Sequence, residues 1–240
     1  MPQLACPRCS QYPAVPRWEV LLLHQRTKDL CFLLISKASF PNYLFRRYLR
    51  PLPKRNGHGV HLHLGCGHTY LQGFVNIDAN PFLKTDLWLD ARNGLPFPSE
   101  SVDSIYATHV LEHFYPDELQ SLLREFARVL KKGGGARLIV PSLSSAVAAY
   151  AQGRKDWFTS HFPRRYESIG GRFSNFIFCD GQHRLAFDFT YFEEVLAASG
   201  LSQVMQMSEG HSKLYGSNVL PYQPGDVPDL PHSLYIEVFR

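Results

Sequence analysis

Long hydrophobic runs are missing from this chain of 240 residues. No apolar stretch reaches the ~18 residues that a membrane-spanning helix needs. The richest segment, residues 18–35, is interrupted by the polar run HQRTKD at residues 24–29. The first residues, MPQL, lack the basic and apolar regions of a signal peptide. We therefore expect no transmembrane segment, and we take the cytoplasm as the expected compartment.

Cysteines are scattered and odd in number, which argues against a disulfide framework and for a reducing compartment. The sequence Cys6-Pro-Arg-Cys9 is half of a zinc-ribbon signature, but no second pair follows at the required spacing. We expect these two thiols to belong to an N-terminal tail, and we expect no metal site.

The charge balance excludes few partners. Charged residues make up 19% of the chain and hydrophobic residues 45%, which is typical of a folded globular protein. The net charge of +4 suits an anionic partner or a membrane surface but does not require nucleic acid.

Residues 1–56 are predicted to form an N-terminal extension, and residues 57–240 the main domain. Helical patterns at residues 18–36 and 43–49 precede a basic linker at residues 46–55 that prolines interrupt. The linker predicts a peripheral contact with a membrane surface or an anionic polymer. The alternative is a helix that packs beside the main sheet and keeps its cations solvated.

From residue 59 the pattern changes to strands that alternate with turns and helices. An apolar stripe predicts a helix over residues 117–132, with Asp117 and Gln120 as a capping pair and glycines after it. A further helix is predicted over residues 191–199. Strands are predicted at residues 60–64, 74–78, 86–90, 102–108, 136–140 and 202–207, and an edge strand at residues 233–239. This alternation predicts a doubly wound α/β fold with a mostly parallel sheet.

Residues 150–192 break this alternation, because they are rich in aromatic and arginine side chains. Aromatic faces stack on sugars or planar rings, and arginines bind carboxylate or phosphate groups. We expect an inserted cap that holds the substrate. A helical lid whose aromatic residues form their own core is an equally weighted alternative.

A glycine turn follows the first predicted strand in the sequence HLHLGCG at residues 61–67, and Asp78 ends the second strand. Glycines let the backbone approach a ligand closely, and such an acid can accept hydrogen bonds from ribose hydroxyls. A dinucleotide site needs a third glycine and an acid about 20 residues further on. Here Tyr70 stands at the third position, and Asp78 follows Gly65 by 13 residues (78 − 65). This spacing argues against a nicotinamide dehydrogenase.

Six short motifs occur in order between residues 63 and 134. They are HLGCG at 63–67, NID at 76–78, LPFP at 95–98, SVD at 101–103, HVLEH at 109–113 and LKKGG at 130–134. The series resembles the S-adenosylmethionine-dependent methyltransferases with a seven-stranded Rossmann-like sheet. It is most similar to a type 11-like subgroup whose first motif runs L-G-C-G-x-x-Y-L-x-G-[FWY]-x-N-x-D. The resemblance covers residues 61–141 and, more weakly, residues 183–204.

The resemblance implies S-adenosyl-L-methionine as cofactor and a set of residues around it. Gly65, Cys66 and Gly67 would lie along the methionine and ribose, Asp78 would bind the ribose, Asp90 and Ala91 the adenine, and Thr108 and His109 would flank the sulfonium. Position 63, usually acidic in the family, commonly helps to hold the cofactor's amino-acid tail. With His63 there, either the tail is bound differently or the affinity is reduced.

Methyl transfer to a hydroxyl needs a base close to the proton that is removed. His109, His113 and His183 are the candidate catalytic residues, and for each the alternative is a histidine that only fills an interface or the core. Glu112 is expected to anchor a loop. The resemblance further implies a small-molecule or glycan acceptor.

Two other functions stay open at this point. A non-catalytic protein that binds the cofactor and serves as an assembly partner is favoured by His63. A nucleic-acid methyltransferase is favoured by the basic linker, but the chain has no helix-turn-helix or RNA-binding motif. Nucleic acid is therefore not the expected partner.

Overall fold

A computed structural model of the chain describes residues 25–49, 59–160, 163–216 and 229–240. Cys6, Cys9 and residues 50–55 of the predicted linker lie outside these ranges, so the membrane contact stays a prediction. The strands are β1 (His61–Leu64), β2 (Phe74–Asp78), β3 (Leu87–Trp88), β4 (Val102–Thr108), β5 (Leu130–Pro141), β6 (Ser202–Met207) and β7 (Ser233–Phe239).

The seven strands form one sheet in the order β3-β2-β1-β4-β5-β7-β6. Strands β1 to β5 pair in parallel, and β7 runs antiparallel to both β5 and β6. The doubly wound α/β prediction is confirmed. The prediction that residues 233–239 form an edge strand is wrong, because β7 lies between β5 and β6. All but one of its residues are buried, whereas β6 at the edge is partly exposed.

The described ranges contain five α-helices and several single turns. The helices are α1 (Gln25–Leu44), α2 (Pro116–Val129), α3 (Leu143–Ala151), α4 (Ile169–Phe178) and α5 (Phe189–Ala197). Single turns of 3-10 helix lie at Ala91–Asn93, Leu111–His113, Lys155–Trp157 and Cys179–Gly181, and a π-helical turn at Phe45–Leu49 follows α1.

The predicted helix at residues 117–132 is present but ends earlier, at Val129. Leu130 pairs with Val102 as the first residue of β5, and this pairing takes residues 130–132 into the sheet. The helix entry also differs from the prediction, because the backbone N–H of Tyr115 donates to the Glu118 carboxylate at 2.9 Å. This is one half of a capping box, and it replaces the predicted pair of Asp117 and Gln120.

Helix α1 is continuous where the sequence predicted two separate patches. It passes through Pro41, which removes one backbone donor. Tertiary contacts hold this part of the helix: Asn42 Nδ2 donates to the Trp88 carbonyl at 3.0 Å, and Asn93 Nδ2 donates to the Ser36 carbonyl at 2.8 Å. The helix is thus bound to the segment that follows β2.

The core lies on both faces of the sheet. Leu62, Ile105 and Leu138 of the central strands are fully buried with Phe126 of α2. A buried ion pair joins Arg137 of β5 to its register partner Glu237 of β7, with Nη1 and Oε1 2.9 Å apart. Among the described residues, no helix has the length and hydropathy to cross a membrane.

Four aromatic residues at 150–192 pack against one another, whereas Phe187 and Phe192 belong to the main core. Trp157, Phe158, Phe173 and Phe176 form a separate cluster with residues of α3. The Trp157 indole N–H donates to the Leu230 carbonyl at 2.8 Å. These rings therefore do what the second prediction for this segment stated, which was a helical unit with its own aromatic core.

Candidate functional site

A cavity of about 530 Å³ opens where the carboxyl ends of β1, β2 and β4 meet. This is where parallel α/β sheets bind ligands, and the volume is within the ~300–1,000 Å³ of small-molecule sites. Of the predicted site residues, the cavity is lined by Gly65, Asp78, Asp90, Ala91, His109 and His113.

The turn after β1 depends on glycine at position 65. Gly65 has a φ of +62°, and a Cβ there would lie 2.2 Å from Cγ2 of Val110. The left-handed backbone conformation and this close approach exclude larger residues. The backbone of Gly65 therefore forms part of the cavity lining next to β1.

Asp78 is held at the end of β2 by backbone donors. Its Oδ2 accepts from the Gly67 N–H at 2.9 Å, and its Oδ1 accepts from the Asn80 N–H at 2.8 Å. A carboxylate has about four acceptor positions, so both oxygens can still bind a ligand. Gly67 serves this carboxylate with its N–H and is not itself a lining residue.

Asn76 organises the glycine turn from below. Its side chain pairs with both backbone groups of Leu71, at 2.9 Å each, and its own N–H donates to Asp86 at 2.8 Å. Asp86 also accepts from the Tyr70 hydroxyl at 2.8 Å. The Y-L-x-G-F-x-N part of the first motif is therefore a support for the turn, away from the cavity.

Asp90 is buried beside the cavity and is paired. Its carboxylate accepts from the Arg92 backbone N–H at 2.9 Å and from the Arg92 guanidinium at 3.0 Å. Its own N–H donates to Ser39 Oγ of α1 at 3.1 Å. Ala91, next in the chain, is also buried.

One wall of the cavity comes from α1, which the sequence did not indicate. Asp29, Phe32, Leu33 and Ser36 line it. Asp29 is ion-paired across the cavity with Arg184, which follows α4. The apolar residues at 30–34 suggest a helix by themselves but not what it covers, so no local signal could have identified this wall.

His109 is the titratable residue best placed to act in the cavity. It follows β4 with a φ of +53°, an uncommon conformation for a non-glycine residue, and its side chain is 39% exposed. Its Nδ1 lies 3.3 Å from Oε1 of Glu112. Burial alone would raise the pKa of Glu112, but the hydrogen bond from His109 and the neighbouring histidines lower it overall. An anionic Glu112 holds the proton on Nδ1 and leaves Nε2 of His109 as an acceptor.

Five of the predicted site residues do not line the cavity: His63, Cys66, Gly67, Thr108 and His183. The His63 ring packs near Phe74 and Tyr106, with Nδ1 3.1 Å from Asn76 Oδ1. Burial lowers the pKa of His63 and raises the pKa of the Cys66 thiol to about 12. In this structure His63 belongs to the support of the turn.

His113 and His183 meet at the edge of the cavity although 70 residues (183 − 113) separate them in the chain. Their ring centroids lie 5.1 Å apart in an edge-to-face arrangement. From the described part of residues 150–192, only Gln182 and Arg184 line the cavity. The aromatic residues of that segment do not.

Comparisons with known proteins find a family match over part of the chain. A methyltransferase domain family model matches residues 78–138, from the end of β2 into β5. No curated protein matches the chain.

Several solved structures are similar. A SAM-dependent methyltransferase from Archaeoglobus fulgidus is 16% identical with a TM-score of 0.47, over 87% of this chain and 99% of that one. One from Mesorhizobium loti is 15% identical with a TM-score of 0.43, over 79% and 94%. A phosphoethanolamine N-methyltransferase from Haemonchus contortus, in complex with S-adenosyl-L-methionine, is 15% identical with a TM-score of 0.40, over 72% and 38%.

Proposed function

We propose that this chain is an S-adenosyl-L-methionine-dependent methyltransferase that acts on a small-molecule or glycan acceptor. One observation carries the proposal: the cavity presents two carboxylates, Asp78 and Asp90, at the strand ends where a nucleoside would bind. The arginines that line it, Arg92 and Arg184, are both ion-paired with carboxylates. Such a site suits a nucleoside without phosphates better than it suits a dinucleotide.

The residues present fit this cofactor. Asp78 keeps acceptor positions for two ribose hydroxyls, and the backbone at Gly65 allows close approach. Asp90 and Ala91 lie one strand further along, where the adenine would bind. The match to the methyltransferase domain model includes Asp78, Asp90 and His109.

The chemistry needs little from the protein beyond alignment and a base. When bound, the cofactor supplies a methyl group that is activated by its positively charged sulfur. Alignment of the two reactants is worth up to ~7–11 kcal/mol. His109 would accept the acceptor's proton on Nε2, and Glu112 would act as the positioning residue that keeps Nδ1 protonated.

The acceptor would bind at the open side of the cavity. Gln182, Arg184 and Tyr115 line that region, and Tyr115 is half-exposed. These groups offer hydrogen bonds and an aromatic face, as hydroxyl-rich acceptors require. A glycan or another small hydroxylated molecule is therefore proposed.

Calorimetric titration with S-adenosylmethionine and S-adenosylhomocysteine tests the proposal. We expect micromolar dissociation constants for both, no binding of NAD, and at least ~10-fold weaker binding by Asp78→Asn, because hydrogen bonds to a charged group contribute about 1.5–3 kcal/mol. Asp156→Asn, an exposed acid outside the cavity, should bind like the parent chain. Failure to bind either ligand would contradict the proposal.

A second variant separates catalysis from binding. His109→Gln should keep its affinity for S-adenosylhomocysteine and lose turnover in an acceptor screen that begins with glycans. If the parent chain binds the cofactor and His109→Gln turns over an acceptor at the parent rate, His109 is not the base. Binding without turnover on any acceptor would favour the non-catalytic partner.

A further inference from the structure

The edge of the cavity carries a cluster of potential metal ligands. Glu112, His113 and His183 each offer one ligand atom, and these atoms all lie within 4.8 Å of one another. Glu112 and His113 belong to the 3-10 turn after β4, and His183 follows the 3-10 turn after α4.

The hydrogen bonds of the two histidines leave one lone pair on each. His113 Nδ1 donates to the Gln182 carbonyl at 3.2 Å, and His183 Nδ1 donates to the Ile177 carbonyl at 3.0 Å. A backbone carbonyl that holds the proton on one ring nitrogen makes the other nitrogen a metal ligand, which is the arrangement common in metal sites.

Glu112 contributes a buried oxygen that is otherwise unexplained. Oε1 is bonded to His109, but among the described residues Oε2 has no hydrogen-bond partner although it is inaccessible to solvent. Leaving a charged oxygen buried without a partner is costly. A cation at the cluster would remove that cost.

The backbone around the cluster is held in place on both sides. The N–H groups of Arg184 and Leu185 both donate to the Glu112 carbonyl, at 2.7 and 3.2 Å. The two chain segments that carry the ligands are therefore joined directly beside them. Ligand atoms about 2.1 Å from a tetrahedral ion are about 3.4 Å from one another. The three ligand atoms lie within 4.8 Å of one another here, so small side-chain rotations would bring them to that spacing.

We propose that Glu112, His113 and His183 bind a divalent transition-metal ion of the Zn²⁺ type at the acceptor side of the cavity. Two imidazoles and one carboxylate suit Zn²⁺, Fe²⁺ or Co²⁺, whereas Mg²⁺ and Ca²⁺ take oxygen ligands. Three protein ligands leave an open position, as in catalytic metal sites. The proposal departs from the expectation of no metal, which was based on cysteine spacing.

The use of the ion rests on the proposed function. His113 belongs both to the cluster and to the cavity lining, so an acceptor hydroxyl would reach the open position. Coordination lowers the pKa of a hydroxyl. The hydroxyl proton would pass to His109, the oxygen would form a bond to the methyl carbon, and the carbon–sulfur bond would break to leave a neutral thioether. The inference therefore selects an oxygen acceptor.

The test is binding of Zn²⁺ and Co²⁺ to the full chain after treatment with a chelator. Cys6→Ser/Cys9→Ser serves as the parent so that the N-terminal thiols do not contribute. We expect one Zn²⁺ per chain by calorimetry and visible absorption bands with Co²⁺. His183→Asn and Glu112→Gln should weaken binding at least ~100-fold, the upper end of what loss of a second-shell partner costs.

His211→Asn is the matched control, because His211 is an exposed histidine outside the cluster and should leave binding unchanged. Circular dichroism shows whether each variant is folded. If Glu112→Gln unfolds, the test of metal binding rests on His183→Asn, because His183 is partly exposed. No stoichiometric ion in the parent, or equal binding by His183→Asn, would overturn the inference. S-adenosylhomocysteine binding is measured on the same samples. A parent chain that binds the metal ion but not S-adenosylhomocysteine would contradict only the proposed function.

Discussion

Asn76 holds Leu71 by both of its backbone groups, with its Oδ1 accepting and its Nδ2 donating at 2.9 Å each. The side chain thus makes the two hydrogen bonds that a paired strand residue would make, and these bonds hold the turn between β1 and β2. Through this pair, a residue with no access to solvent supports the glycine turn that precedes β2.

Replacement of Asn76 by alanine should therefore destabilise the chain. Asn76→Ala leaves the buried N–H of Leu71 without its partner and removes one of the two donors to the Leu71 carbonyl, so we expect the free energy of unfolding to fall by about 2–4 kcal/mol. Urea denaturation measures this value. Asn80→Ala, which removes one exposed hydrogen bond to the Phe82 N–H, should cost less than ~1 kcal/mol. Equal losses in the two variants would contradict the role assigned to Asn76.

Gly65→Ala should be damaging for two separable reasons. The positive φ costs about 1–2 kcal/mol, and the contact with Val110 adds about 1–3 kcal/mol. Gly73 has a φ of +83°, but no atom lies within 4 Å of a Cβ built there. Gly73→Ala should therefore show only the cost of the positive φ. Thermal unfolding with Gly65→Ala/Val110→Ala should recover the steric part. The absence of recovery would show that the contact is not the cause.

Ser39→Ala should loosen α1 from the cavity. Ser39 Oγ accepts from the Asp90 N–H and from Asn93 Nδ2, at 3.1 Å each. We expect a loss of about 1–2 kcal/mol in stability and weaker binding of S-adenosylhomocysteine, because the contact that holds the Asp90 backbone to α1 would be lost. Ser121→Ala, on the exposed face of α2, should change neither value. Unchanged affinity in Ser39→Ala would mean that α1 does not position Asp90.

Stability should decrease at acidic pH because of His63. Burial lowers its pKa below the ordinary 6.5, so the unfolded chain binds a proton that the folded chain does not. The stability that depends on neutral His63 is fully present above pH 6.5. It is lost as the pH falls from 6.5 toward the lower pKa of His63 in the folded chain. His183 has a lowered pKa and acts in the same direction. Urea denaturation at pH 7.5 and 5.5 should show a smaller difference for His63→Gln than for the parent, and an equal difference would contradict this assignment.

The local pattern of the sequence was sufficient for most of the fold. Strand bounds at residues 74–78, 102–108, 202–207 and 233–239 agree with the structure, because short apolar runs and the flanking turns are local features. The same holds for the glycine turn and Asp78, which the motif spacing places at neighbouring strand ends. These features determine the cavity's position and its first carboxylate.

Tertiary structure decided the rest. The hydrophobic pattern of β7 shows that it is buried but cannot show that it lies between β5 and β6. Helix α1 becomes a cavity wall through long-range contacts such as those of Ser39 and Asn42, whose partners lie about 50 residues away in the chain. His183 joins Glu112 and His113 only because the segment after α4 folds back onto the end of β4. Each of these depends on contacts between distant segments, which short-range periodicity does not encode.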